Sequence, residues 1–398
     1  MPHIFKRATP RYAVIQALYW AIYCLMVGFA SAFLLDRGFT NGQIGLILGL
    51  SYLFSAILQP VIGSLFSRQG VKLNNAIAIA YVPVAVIGLC VALLPLGRGP
   101  VAVLMGAVFT IQSMMQPSIN ALHQNLETEQ DRVDFGLARG VGSAAYALSS
   151  FAMGRLLAHF APNILPIAYG VGAALLVLAL VSLSTTTATG RASVDMRGVS
   201  YADILREHPK LVLYMVGIAC MFLVYSFIDS FLLQILLSIG GTNANLGTAI
   251  TLSAMTELPA MVIFARLSRK GLGVKVFLIS IWFWLAKDIL TFLAPSPQVL
   301  YGVQLLNFLS VAVYVPGMMD YMRHTLPESQ LLRGVTLAGT STTLGSLAAT
   351  IAGGWLMDAI GVRSALMAVQ VFAILGTVLL TLALGSAAKG RGKTGDGE

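Results

Sequence analysis

The sequence predicts an all-α membrane protein: twelve transmembrane helices in two six-helix halves, with both termini in the cytoplasm. Three observations predict it. Of the 398 residues, 57% are hydrophobic and only 10% are charged, against roughly 25% charged in soluble domains. A water-soluble fold of this length has no interior large enough for that much apolar surface. The apolar residues also fall in runs of about 20, the length that crosses a bilayer core. Finally, the basic residues are sorted between alternate loops, which sets topology.

Taken in order, the apolar runs lie near 12–35, 43–66, 74–96, 99–124, 135–160 and 164–185, then 211–239, 246–268, 275–294, 298–322, 332–358 and 364–387. The expected organisation is therefore a first half over 1–185, a polar central loop over 186–210, a second half over 211–387 and a disordered, glycine-rich tail over 388–398. The first run is preceded by Lys6, Arg7 and Arg11 and has no small-residue cleavage site after it, so it reads as a membrane helix rather than a removable signal. Cys24, Cys90 and Cys220 lie in separate apolar runs, which suggests neither a disulfide framework nor a zinc site.

One set of loops holds Arg68, Lys72, Arg132, Arg191, Arg197, Arg206, Lys210, Arg266, Arg269, Lys270, Lys275, Arg323 and Arg333, together with both termini; the other set has only Arg37, Arg98, Arg155 and Arg363 nearby. The net charge of +9 is thus an orientation signal and not a nucleic-acid surface. It places both termini and the central loop in the cytoplasm of a cell-membrane protein. An even number of crossings demands the same. The halves also echo each other: Ser67-Arg68-Gln69-Gly70-Val71-Lys72 follows the second run and Ser268-Arg269-Lys270-Gly271 the eighth. Repeated halves with a long connection imply a carrier whose solute site lies near the midplane.

Charges inside the runs are costly, from about 2.5 to over 10 kcal/mol at the bilayer centre, so they mark candidate sites. Arg139 shares a helix face with Gly142, Ser143, Tyr146 and Ser150. Its guanidinium offers a fixed fork of donors, and the Tyr146 ring can stack on a sugar or aromatic ring. The competing reading is that Arg139 snorkels back to the surface. Asp229, Glu257, Lys287 and Asp288 lie in runs seven to nine. They suit either internal ion pairs or a proton-binding group, since burial disfavours the charged carboxylate. Gln304, Asn307 and Ser310 form a neutral stripe in run ten, and Gln112, Gln116, Asn120 and His123 another in run four; both could serve a polar ligand or helix packing. No phosphate loop, metal spacing or catalytic constellation occurs. This argues against an enzyme or an ATP-driven pump, and for no cofactor beyond a coupling proton.

These residues resemble the major facilitator superfamily, and within it the oligosaccharide:proton symporters typified by lactose permease. Gln59-Pro60-Val61-Ile62-Gly63 is similar to that family's second-helix ending, and Asp134-Phe135-Gly136-Leu137-Ala138-Arg139 through Gly142 to its fifth-helix motif. The resemblance implies that Arg139 contacts a sugar, that Tyr146 stands for a stacking tryptophan, and that Glu257, in Thr256-Glu257-Leu258-Pro259-Ala260, is an acidic sugar ligand. Lys287 falls where the family has a coupling arginine. The departures are as informative. Gln304, Asn307 and Ser310 stand where the family has its lysine, histidine and glutamate. Leu223 and Ser226 stand for its paired aspartates, Asn120 or Ala121 for its sugar-binding glutamate, and Ser67 for a loop aspartate. Proton coupling, if present, must rest on Asp229, Glu257 or Asp288.

The expected function is secondary transport of a small polar solute, a sugar first, by a monomer in the lipid bilayer. Arg139, Tyr146, Glu257, Asn120, Gln304 and Asn307 are the expected solute ligands, and Asp229, Lys287 and Asp288 the expected charge network. The alternatives are an uncoupled facilitator, or a drug or metabolite exporter by proton antiport with Met114, Met115, Trp282 and Trp284 lining an apolar cavity. A membrane sensor would need a soluble domain, for which the loop and tail are short.

Overall fold

A computed structural model describes residues 8–68, 71–126, 133–183 and 201–389, without the side chains of 63–68 and 386–389. The loop echo at Ser67–Gly70, the basic residues Lys6, Arg7, Arg132, Arg191 and Arg197, the first part of the central loop and the tail from residue 390 onward lie outside what is described.

Every regular element among the described residues is helical. In chain order these are α1 (Ala8–Tyr23), α2 (Ala30–Asp36), α3 (Asn41–Arg68), α4 (Leu73–Leu93), α5 (Arg98–Ala121), α6 (Phe135–Leu156), α7 (Ile164–Val181), α8 (Tyr201–Glu207), α9 (Pro209–Ser230), α10 (Leu232–Leu237), α11 (Asn243–Arg269), α12 (Gly273–Leu293), α13 (Pro297–Leu305), α14 (Tyr314–Thr325), α15 (Glu328–Ile360) and α16 (Val362–Lys389). Eleven spans are long and apolar enough to cross a membrane. The helix α6 has the length, 22 residues, but its Arg139, glycines and serines make it the most polar of the long helices of its half. Residues Tyr201–Glu207, within the stretch expected to be a polar loop, form a short helix whose Ile204 is buried and whose Glu207 accepts from Gln330 Nε2 at 3.1 Å.

The chain folds into two compact units. The first comprises Met1–Val194 and Thr242–Ala254, the second Asp195–Gly241 and Met255–Glu398. In the first, α1 packs on α6 and α7, α3 on α5, and α4 on α7; in the second, α9 packs on α15 and α16, and α12 on α16 and α14. The pairs α1–α6, α1–α7 and α4–α7 thus recur as α9–α15, α9–α16 and α12–α16.

The repeat extends to atomic detail that the loop echo alone did not reveal. Phe29, Leu34, Leu35, Gly38, Thr40, Asn41 and Gly45 recur in the same spacing as Phe231, Leu236, Leu237, Gly240, Thr242, Asn243 and Gly247. Phe29 (φ −112°, ψ 13°) and Phe231 (φ −116°, ψ 22°) interrupt runs one and seven, leaving the short helices α2 and α10. Gly38 (φ 77°) and Gly240 (φ 79°) then end those helices in the left-handed region, which glycine enters without steric penalty. Phe39 N–H donates to Leu34 O and Gly241 N–H to Leu236 O, at 3.0 and 2.8 Å. These bonds satisfy carbonyls that a helix end would otherwise strand.

Two membrane segments also contain turns that are not α-helical. A π-helical stretch, Cys24–Gly28, follows α1. Run ten, expected as one helix, is interrupted by 3₁₀ turns at Leu306–Leu309 and Val311–Val313 between α13 and α14. Pro316 explains the second break. It has no N–H to donate, and is tolerated because it falls in the first turn of α14, where donors lack helical partners anyway. Irregular backbone at membrane depth survives only where protein or water satisfies it.

Candidate functional site

In the first unit the polar side chains converge on Arg139. The Asp134 side chain accepts from Leu137 N–H at 2.9 Å and caps α6, which fixes the helix start and so places Arg139 one turn in. Its guanidinium then extends deeper, not back: Arg139 Nη1 donates to Ser143 Oγ at 2.7 Å, and Cζ lies 3.9 Å from the centroid of the Trp20 ring. The snorkelling alternative is thereby set aside, because a snorkelling side chain would run toward the helix N-terminus.

Trp20, on α1, was not among the expected site residues. Trp20 Nε1 donates to Gln16 Oε1 at 2.9 Å, Gln16 Nε2 donates to the Tyr12 hydroxyl and to Asn120 Oδ1 at 3.4 Å, and the Tyr12 hydroxyl donates to Ile119 O at 3.1 Å. A chain of neutral hydrogen bonds therefore holds the indole under the cation. The signal was present in the sequence: Gln16 and Trp20 lie one turn apart in an otherwise apolar run. Tyr23 and Tyr146 complete an aromatic group, with ring centroids 5.2 Å (Trp20–Tyr23), 6.4 Å (Trp20–Tyr146) and 6.4 Å (Tyr23–Tyr146) apart. Arg139 and Tyr146 are both half-buried.

Gly142 makes this possible. A Cβ there would meet Trp20 Cδ1 at 2.7 Å and Gln16 O at 3.3 Å. A Gly142→Val variant is expected to expel the indole from beneath Arg139, detectable as a red shift of tryptophan emission and a several-fold loss of solute affinity.

Other expected residues of this unit have packing roles. Ser150 Oγ donates to Gly247 O at 2.9 Å. Gln112 is fully buried and accepts from the Tyr81 hydroxyl at 2.7 Å through Oε1 and from the Tyr19 hydroxyl at 3.2 Å through its backbone carbonyl. His123 Nδ1 sits 2.6 Å from Asn120 O.

The second unit holds the acidic cluster. Lys287 and Asp288 on α12 are buried, 6% and 2% exposed. Lys287 Nζ donates to Asn307 Oδ1 at 3.1 Å, across to the broken segment. Lys287 is in electrostatic range of Asp288, Asp229 and Glu257, so the structure brings those four charges together. Asp229 is exposed and Glu257 half-buried. Gln304, Asn307 and Ser310 are all buried. Ser310 Oγ donates to Leu306 O and is tied to backbone. Trp284, one turn before Lys287, forms edge-on ring contacts with Phe222, Tyr225 and Tyr314.

The apolar cavity wall expected for an exporter is not formed as anticipated. Met114, Met115 and Trp284 are buried within their own units, at 3%, 4% and 1% exposure, and only Trp282, at 52%, is exposed. Their helices turn these side chains into the packed interior, where they contribute van der Waals contacts between helices.

Among known proteins, residues 10–368 match the family described as the MFS_1 like family. A protein of Bacillus subtilis (strain 168) named as the uncharacterized transporter YwbF is 22% identical over 344 residues, covering 86% of this chain and 84% of its own. The nucleoside transporter NupG superposes with a TM-score of 0.75 at 14% identity, over 96% of this chain and all of its own. The peptide transporter POT superposes with a TM-score of 0.72 at 11% identity, over 95% of each chain.

Proposed function

Because the chain belongs to the MFS_1 like family and is a membrane transporter of that type, we propose that it carries a small, ring-bearing polar solute, a sugar first, by alternating access. The observation that carries this reading is the aromatic and cationic group of the first unit: Arg139 on the Trp20 ring, flanked by Tyr23 and Tyr146. Aromatic faces take the apolar face of a sugar ring or a planar base. The guanidinium fork and the neutral amides Gln16 and Asn120 supply donors and acceptors for its hydroxyls. In the second unit, Glu257, Gln304 and Asn307 are the residues this reading assigns to solute binding.

The coupling ion in this reading is the proton, entering with the solute. The acid-rich cluster around Lys287 supports it, since three carboxylates share one ammonium there. In this reading α6 is the twelfth crossing. At 1.5 Å rise per residue its 22 residues reach about 33 Å, enough for a bilayer core. The excess of Lys and Arg in alternate loops supports cytoplasmic termini. A fluorescent protein fused after Glu398 is accordingly expected to fold and fluoresce inside the cell, while a periplasmic-type reporter at the same place stays inactive.

The test of the function is uptake into proteoliposomes of radiolabelled glucose, lactose and uridine, with and without an inward proton gradient. Saturable accumulation of one sugar that collapses with the gradient is the expected result. Saturable uptake indifferent to the gradient would remove the symport, and uptake of uridine alone would remove the free sugar.

A further inference from the structure

The three carboxylates near Lys287 are not equivalent. Asp229 is exposed, and Glu257 is half-buried with further partners of its own. Asp288 is different. Only 2% of it is exposed, and its Oδ2 is fully buried with no hydrogen-bond partner among the described residues. Lys287 lies in electrostatic range of Asp288 but does not hydrogen-bond to Oδ2. Lys287 precedes it by one residue, which on a helix turns the side chain about 100° away, and its Nζ is directed to Asn307 Oδ1.

Nor do the elements packed against α12 supply a second cation. From α9 come Asp229 and Tyr225, from α11 Glu257, and from α14 Tyr314 together with Asp320, which accepts from Ser268 Oγ at 2.5 Å near the far end. From α16, the helix α12 packs on most extensively, the one nearby charge is Arg363, whose Nη1 donates to Ala294 O just beyond the end of α12. The segment between α13 and α14 contributes the neutral Asn307. An ionised carboxylate with a bare oxygen in this setting would bear a large desolvation cost. A neutral carboxylic acid carries no net charge and bears much less of it.

We infer that Asp288 is the residue that takes up and releases the coupled proton, held as the neutral acid in the conformation described here. Deepening the symport reading on which it rests, this assigns Lys287 a distinct part. When water reaches the site and Asp288 loses its proton to it, the ammonium, now tethered to Asn307, is the cation able to turn toward the new charge.

Two measurements test this separately from the transport reading. Infrared spectra of the purified protein in lipid at neutral pH are expected to contain the carbonyl stretch of a neutral carboxylic acid. Asp288→Asn should delete that band, while Asp229→Asn and Glu257→Gln keep it. Asp288→Glu, which retains a carboxyl, should shift the band and guards against a folding defect. In proteoliposomes, with whichever of lactose, glucose or uridine the wild type accumulates, Asp288→Asn should lose gradient-driven accumulation at least tenfold yet keep equilibrium exchange. A band that survives in Asp288→Asn, or accumulation that does, overturns the assignment. Absence of gradient-driven accumulation in the wild type overturns the symport reading itself, and with it the carrier role of Asp288.

Discussion

Arg139→Lys is expected to lower saturable uptake at least about tenfold, almost as far as Arg139→Ala. A lysine keeps the charge but loses two things the geometry uses. The guanidinium lies over the Trp20 ring with Cζ 3.9 Å from the ring centroid, a contact worth about 0.5–2 kcal/mol when partly desolvated. It also donates to Ser143 Oγ at 2.7 Å while keeping further donors in its fork. An ammonium is a point donor on a longer, more flexible stem, so it cannot both stack and bridge. Losing about 1.4 kcal/mol of solute binding is already tenfold. The check is the uptake rate at limiting solute, with protein amount and melting temperature controlled. A lysine variant transporting like wild type would mean that the fork has no role. Trp20→Ala is expected to fall near the same level, because it removes the surface on which the guanidinium is held.

Gly247→Leu should be the most damaging single change to the first unit's packing. A Cβ on Gly247 would meet Ser150 O at 2.5 Å and the Gly154 Cα and N at 2.7 and 3.1 Å. All of these are backbone atoms, which cannot rotate out of the way. Gly154 faces the mirror problem, its Cβ meeting Gly247 Cα at 2.8 Å. The paired glycines let α6 and the front of α11 touch backbone to backbone, and Ser150 and Thr251 hydrogen bonds cross the contact. Leucine in place of glycine within a helix gains up to about 1 kcal/mol in propensity. Overpacking costs typically about 1–3 kcal/mol and more when nothing can yield, so destabilisation wins. The expected readout is a melting temperature several degrees lower in detergent, with Gly302→Leu unchanged as a control, since nothing lies within 4 Å of a Cβ at Gly302. An unshifted melting curve for Gly247→Leu would mean that the contact is not held.

The fold was legible because membrane helices announce themselves. Nearly every apolar run became a helix or a pair of short helices, since a bilayer leaves the backbone no other way to satisfy its polar groups. Arg139 and the four charges of the second half stood out for a related reason, their cost in lipid. The breaks were less legible. Phe29 and Phe231, at the bends of their helices, look like ordinary apolar residues in sequence, although the glycines and threonines that follow them repeat in register and could have been found by comparing the halves. Trp20 was overlooked because an indole in an apolar run is compositionally unremarked; only its packing on α6, over Gly142, makes it part of a site.

The sequence by itself determined the class of solvent, the helical architecture, the duplication and which residues bear improbable charge. All of these follow from composition and period, which are local. The tertiary structure decided what each charge does. It turned Arg139 inward onto Trp20, tied Lys287 to Asn307, and left one oxygen of Asp288 without a partner. Those outcomes depend on side chains brought together from helices far apart in the chain, and on hydrogen bonds that no spacing rule encodes.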